Sequence, residues 1–357
     1  MQIALMGLSQ CGKSTLFSGL RGVLLDNTGG GASQVEQAVI KVPDTRLDVL
    51  TKIYQPKKTT PATIDFLDMP GLSFAEESHR QEARRLIAQA RQVDMLVLVL
   101  CDFASDSVAA YRNRVDPAAD LEELRNECLL ADLEQIENRI AKLEASKNKP
   151  SKTQDADKKE LALLLKCREA IEAEQPLSSI IDKEEDEKAI RSFGFLTLKP
   201  FLVVANVSED NVNSGSSLSE EKAGGAVLSL CATLEAELAV LDDDDRAAFM
   251  EDMGLKEIAR DRLIRQCYLT SKLFSFLTVG PDEVRAWTVP ANCPAVEAAG
   301  EIHSDIQRGF IRAEVVAYDD LMATGDMKAA KAAGKTRLEG KTYPVQDGDI
   351  INFRFNV

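Results

Sequence analysis

The chain lacks any apolar run near the roughly 20 residues that a membrane-spanning helix needs. It also lacks a basic stretch followed by a long apolar segment at its start, where a glycine-rich motif already begins at Gly7. A membrane protein or one bearing a secretion signal is therefore not expected; a soluble, cytoplasmic one is. There is no C-x-x-C pair: seven cysteines are scattered at positions 11, 101, 128, 167, 231, 267 and 293, and the only histidines are His79 and His303. That scatter argues against a zinc site and against a disulfide framework. Positive charge is also short. Against 58 Asp and Glu stand 43 Lys and Arg, leaving a net charge of −15. DNA is not an expected partner at that charge, and any RNA contact has to come from a local basic patch.

What the chain does have begins with Gly7-Leu8-Ser9-Gln10-Cys11-Gly12-Lys13-Ser14, a G-x-x-x-x-G-K-S motif. Ile3-Ala4-Leu5-Met6 before it reads as a buried strand, and Thr15-Leu16-Phe17-Ser18-Gly19-Leu20 after it as the start of a helix. Strand, glycine-rich turn and helix make an anion site, because backbone N–H groups and the positive end of the helix converge on phosphate. In this pattern Gly7, Gln10, Cys11, Gly12, Lys13, Ser14 and Thr15 cradle the phosphates. Lys13 reaches the β- and γ-phosphates, and the Ser14 hydroxyl sits on Mg²⁺. Thr63-Ile64-Asp65-Phe66-Leu67-Asp68 alternates as a strand and runs into Asp68-Met69-Pro70-Gly71, a D-x-x-G. Its order after the phosphate loop assigns Asp68 to Mg²⁺ and the Gly71 N–H to the γ-phosphate. The Gly-rich 26–33 segment reads as a flexible loop where a first switch would lie.

Met95-Leu96-Val97-Leu98-Val99-Leu100-Cys101 and Phe201-Leu202-Val203-Val204-Ala205 are continuous apolar runs that fit buried parallel strands. The second ends in Asn206-Val207-Ser208-Glu209, where open α/β sheets bind ligands. Between them Leu129, Leu133, Ile136, Ile140 and Leu143 repeat with 4-3-4-3 spacing, Asn148-Lys149-Pro150-Ser151 breaks the pattern, and Leu161, Leu164 and Ile171 resume it. That predicts an antiparallel helical arm over 118–190. Asp242-Asp243-Asp244-Asp245 reads as a solvated turn or helix start. Beyond Val279-Gly280-Pro281 come short β-rich pieces, a separate small α+β domain. The chain is therefore divided into an α/β P-loop nucleotide-binding domain, 1–117 and 191–278, the arm at 118–190, and a C-terminal domain at 279–357. Nothing demands more than a monomer.

These motifs, in this order over nearly the whole chain, resemble the YchF/Obg-like ATPases, a branch of the translation-factor-class P-loop GTPases. Val42-Pro43-Asp44-Thr45-Arg46-Leu47-Asp48 looks like the family segment before the second switch, and Phe195-Leu196-Thr197-Leu198-Lys199-Pro200 like the approach to the base-recognition strand. Val284-Arg285-Ala286-Trp287-Thr288 and Asp347-Gly348-Asp349-Ile350 through Phe353-Arg354-Phe355-Asn356-Val357 match its TGS domain, a ubiquitin-like β-grasp. The resemblance implies a Ras-like G domain interrupted by a coiled-coil arm, a slow Mg²⁺-dependent ATPase, and the ribosome or ribosomal RNA as partner. It places Asn206 and Glu209 in base recognition, with Glu where guanine-reading proteins carry Asp, which favours ATP. Cys231 and Ala232 fall in the base-stacking loop. A GTPase with relaxed base choice stays open, as does a degenerate nucleotide-binding protein with little hydrolysis. Lys328, Lys331, Lys335, Arg337 and Lys341 form the basic cluster available for RNA.

Three departures bear on hydrolysis. In the first switch only Thr28 or Ser33 offers a hydroxyl for Mg²⁺, and the second-switch segment is Ser73-Phe74-Ala75-Glu76-Glu77-Ser78-His79-Arg80, with His79 reading as an exposed residue at a helix start. The third is Leu98, which stands where the family carries a His; at Leu72, where many GTPases place a water-orienting Gln, the family itself shares a hydrophobic residue.

Overall fold

Alternation and apolar runs become strands as expected. In chain order these are β1 (Gln2–Met6), β2 (Glu36–Lys41), β3 (Lys58–Thr60), β4 (Thr63–Asp68), β5 (Met95–Asp102), β6 (Phe201–Val207), β7 (Val227–Leu230), β8 (Leu273–Thr278), β9 (Glu283–Pro290), β10 (Phe310–Ala317), β11 (Arg337–Glu339) and β12 (Asp349–Phe355). The computed structural model describes residues 1–23, 34–105, 109–146 and 154–356. Thr28, Ser33 and the 148–151 break lie outside the described residues. By contact the chain forms two compact units, Met1–Ala38 with Asp65–Arg260, and Val39–Ile64 with Asp261–Val357. Among the described residues no helix is long and apolar enough to cross a membrane.

The first unit is built on a sheet of order β2-β4-β1-β5-β6-β7. The pairs β1/β4, β1/β5, β5/β6 and β6/β7 are all parallel. β1, β5 and β6 are apolar almost throughout because both of their faces are covered. Helix α1 (Lys13–Arg21) follows β1 directly. Helix α3 (Glu77–Gln89), which comes after α2 (Thr45–Tyr54) in the chain, turns Ala83, Leu86 and Ile87 into the core with Leu96, Leu98 and Leu100. Each of these Leu and Ile side chains, when fully buried, stabilises the fold by roughly 1.5–3 kcal/mol. Asp242 caps the helix Asp243–Asp252 by accepting from the Asp245 N–H at 2.9 Å, so the acidic run is a helix start.

The arm is a hairpin of α4 (Pro117–Ser146) and α5 (Gln154–Glu172). Its seam holds Ile136, Ile140 and Leu143 against Leu163, Leu164, Cys167 and Ile171, with Leu129, Leu133 and Leu161 half-buried at the edges. Arg139 closes it with two 2.7 Å bonds to Glu160. At the base, Asp132 is fully buried and accepts from Arg91 Nη1 at 2.6 Å, the Leu196 and Thr197 N–H groups at 3.1 and 2.9 Å, and Thr197 Oγ1 at 2.9 Å.

One turn from the start of α4, Asp120 is 2% exposed, and burial pushes its carboxyl up to about 6 despite Arg114 at 3.2 Å. The unfolded chain releases this proton near 3.8, so between there and about 6 the native state binds more protons. Its contribution to stability therefore falls as pH rises through that window and is constant above it. In urea unfolding, Asp120→Asn should gain stability relative to wild type on going from pH 4 to pH 7; a constant difference would refute the burial argument.

The second unit carries a sheet of order β11-β10-β12-β8-β9-β3. β8 and β12 run parallel at its centre, β8/β9 and β10/β12 antiparallel. Counted from β8, the five C-terminal strands lie second-first-fifth-third-fourth, the β-grasp arrangement, with the helix Ala295–Ile302 packed on one face through Ala295, Ala298 and Ala299. Phe276 stacks on Trp287 at 6.4 Å and meets Phe353 edge-on at 5.9 Å. The grouping of segments departs from the sequence expectation at two places. Residues 39–64, read with the nucleotide-binding domain, join the second unit, because Leu47 and Leu50 of α2 enter its core and β3 pairs with β9. The unit also begins before 279: Val279-Gly280-Pro281 is the connection between β8 and β9, so β8 lies on its near side.

Candidate functional site

The phosphate loop owes its shape to two left-handed residues. Gln10 has φ 66° and Gly12 φ 83°. Gly12 forms the N-cap of α1, and its C=O accepts the Leu16 N–H at 3.0 Å. The loop's remaining N–H groups and the start of α1 then converge, as an anion site requires. Space as well as conformation demands glycine. A Cβ on Gly12 would stand 2.1 Å from Asn206 Nδ2, and one on Gly7 2.4 Å from the Val99 carbonyl.

The D-x-x-G segment is bonded to this loop. The Leu72 N–H donates to the Gly7 C=O at 3.0 Å, and the Leu72 C=O accepts the Ser9 N–H at 2.8 Å and Ser9 Oγ at 3.1 Å. Gly71 lies so close that a Cβ would be 2.9 Å from Ser9 Cα. At the end of β4, Asp68 is 1% exposed, and its Oδ1 has no hydrogen bond. Lys13 Nζ lies 3.3 Å from that oxygen and is itself buried. A buried carboxylate oxygen lacking a hydrogen-bond donor, beside the lysine of a phosphate loop, fits a divalent cation in donor chemistry. Ser14 is half-buried in the first turn of α1, as is Thr15.

Asn206, in β6, joins three segments. Its Nδ2 donates to the Cys11 C=O at 3.0 Å and its Oδ1 accepts the Ala232 N–H at 2.8 Å. Both ends of the amide are thus engaged by backbone, so its position is that of a brace between the phosphate loop and the loop after β7. Glu209 opens a short 3₁₀ turn beyond β6 and is exposed, with its carboxylate available to a ligand. Cys231 is buried at the N-cap of the helix Ala232–Leu238, its Sγ 3.1 Å from Thr233 Oγ1. Cys11 is buried within the loop; burial pushes its thiol up to about 11, so it is a packed, protonated filler.

Other expected features sort by burial. Leu72 and Leu98 are buried in the same apolar cluster as Phe74. His79 lies in the first turn of α3, exposed and 3.9 Å from Glu76. Most of the basic cluster in the second unit is already paired: Lys331 with Glu314 at 3.4 Å, Lys335 with Asp320 at 2.9 Å, and Arg337 with Asp349 at 3.5 Å. Lys328 and Lys341 have no acidic partner among the described residues. Sequence reasoning missed Phe103, whose ring edge lies 3.8 Å from the Cβ position of Gly12, and Asp102, which binds the 216–217 loop through Ser216 Oγ at 2.6 Å and Ser217 N and Oγ at 2.8 Å. Their only signal was position, at the C-terminal end of β5, where parallel sheets place their sites.

Residues 2–150 match the family model MMR_HSR1, described as 50S ribosome-binding GTPase, and residues 273–356 match YchF-GTPase_C, described as a protein of unknown function. The protein named ribosome-binding ATPase YchF from Bacillus subtilis is 40% identical over 99% of this chain and 98% of its own length. Its counterpart from Escherichia coli O157:H7 is 37% identical with the same coverage. The structure of the Schizosaccharomyces pombe YchF GTPase superposes with a TM-score of 0.81 at 25% identity, covering 99% of this chain and 97% of that one. Full-length identity at this level, joined to a phosphate loop, a D-x-x-G strand and a β-grasp sheet in one chain, means that the protein belongs to the YchF family.

Proposed function

We propose that this chain is a Mg²⁺-dependent ATP-binding protein and slow ATPase that acts as a nucleotide-controlled switch on the ribosome, in the cytoplasm. The observation that carries the reading is the bonded pair of loops, with Gly12 capping α1, Leu72 tied to Gly7 and Ser9, and Lys13 beside Asp68. Gly7 to Thr15 would hold the phosphates, Lys13 would offset their charge, and the Gly71 N–H would meet the γ-phosphate. Ser14 and Asp68 would hold Mg²⁺, which when bound neutralises phosphate charge. Ala232 and the exposed Glu209 would border the base, with Asn206 fixing the pocket and Cys231 packed behind it. Leu72 and Leu98 offer no group to orient a water molecule, which supports slow turnover. Ribosome association rests on the names of relatives 37–40% identical over the full length. Within the C-terminal TGS-like unit, Lys328 and Lys341 are the cluster members best able to meet RNA phosphates, the others being paired internally.

The second reading, GTP binding, is favoured by the GTPase family model over 2–150. Titration of fluorescent ATP and GTP analogues with Mg²⁺, with unlabelled competitors, separates the two. ATP should be preferred, and Lys13→Ala should lose binding. Preference for GTP would support the second reading, and binding of neither would overturn both. Single-turnover hydrolysis and co-sedimentation with ribosomes test the remaining parts.

A further inference from the structure

Tyr111 lies where the D-x-x-G segment meets the arm. Leu72 is fixed to the phosphate loop through Gly7 and Ser9. Two residues on, the Phe74 N–H donates to Tyr111 Oη at 3.0 Å, and the Phe74 C=O accepts Arg80 Nε at 2.8 Å. Tyr111 Oη in turn donates to Glu123 Oε1 at 3.2 Å, and Arg112 Nη2 donates to the same oxygen at 2.6 Å. Glu123 belongs to the second turn of α4. The Tyr111 ring is 7% exposed, in the same buried cluster as Leu72 and Phe74. It is followed by two non-glycine residues in the left-handed region, Arg112 at φ 51° and Asn113 at φ 53°. Such a turn persists only where its surroundings impose it; here it holds the ring inward and Arg112 on Glu123.

A hydroxyl can accept from an N–H and donate to a carboxylate at once; no apolar ring can do either. We propose that Tyr111 is a positioning residue for the γ-phosphate-sensing backbone: it holds Gly71-Leu72-Ser73-Phe74 in register with the phosphate loop and links that backbone to α4 through Glu123. This rests on the reading of the loop as a nucleoside-triphosphate site. A triphosphate drawing the Gly71 N–H toward it then pulls on a segment fixed at both ends, and the first turns of the arm respond. A diphosphate makes no such demand.

Tyr111→Phe keeps the ring and its packing but removes both hydrogen bonds. In the full chain, its affinity for a fluorescent ADP analogue should be unchanged. Its affinity for a non-hydrolysable ATP analogue should fall about tenfold. Hydrogen exchange over 117–125 should differ between the two nucleotides in wild type and not in the variant. Glu123→Ala leaves the Phe74–Tyr111 bond in place, so it should keep the wild-type ratio of triphosphate to diphosphate affinity and lose the exchange response. Lower thermal stability with an unchanged affinity ratio in Tyr111→Phe would make the residue merely structural and overturn the proposal, while leaving the nucleotide reading intact. Absence of nucleotide binding in wild type would overturn both.

Discussion

Gly12→Ala is expected to weaken binding of a fluorescent ATP analogue by at least about 100-fold, or ~2.7 kcal/mol, while far-ultraviolet circular dichroism still reports a folded chain. Two effects combine. The residue sits at φ 83°, where an L side chain is disfavoured. The added Cβ would also fall 2.1 Å from Asn206 Nδ2, so the amide has to move. Moving it breaks the bonds from Nδ2 to the Cys11 C=O and from the Ala232 N–H to Oδ1, which together fix the phosphate loop against the loop after β7. The sheet beneath does not depend on these contacts, so the loss falls on affinity. Binding within a few-fold of wild type would mean that the loop adapts and that the Asn206 brace is dispensable.

Asp132→Ala is expected to cost about 3–5 kcal/mol of stability, the range for breaking a buried ion pair from one side. The carboxylate is fully buried and accepts four hydrogen bonds. Its removal leaves Arg91, 15% exposed, without its carboxylate, and two backbone N–H groups of 196–197 without acceptors. Ala also leaves a cavity where α4 crosses that turn. The midpoint of urea unfolding should fall well below that of wild type. Asp132→Asn, which keeps the shape and one acceptor oxygen, should lose less. A change within about 0.5 kcal/mol, as for an ordinary surface substitution, would mean that the base of the arm is held by apolar packing alone.

Features written in contiguous residues were legible in the sequence. Gly7 to Ser14 announce a left-handed turn and a helix start after the apolar strand Gln2–Met6, through local backbone preference. The apolar runs of β5 and β6 announce strands covered on both faces, and the 4-3-4-3 spacing in α4 appears as the buried seam of the arm. The sequence placed Asn206 at the end of a buried strand, but its bracing position was not legible, since it depends on a partner 195 residues away. The basic cluster looked like an open phosphate-binding patch because Glu314, Asp320 and Asp349, which pair with it, lie on other elements of the unit.

Residues 39–64 follow the same logic. Nothing local distinguishes α2 and β3 from the elements around them, and only the β9 edge and the core that receives Leu47 and Leu50 assign them to the second unit. Local conformation and periodicity are properties of neighbouring residues, so the sequence by itself determined the phosphate loop, the strands and the arm. Hydrogen bonds between Asn206 and Cys11, Asp132 and Thr197, or Tyr111 and Phe74 exist only after topology brings distant segments together. The tertiary structure therefore decided which residues brace the phosphate loop, which charges are already neutralised and how the arm is joined to the D-x-x-G segment.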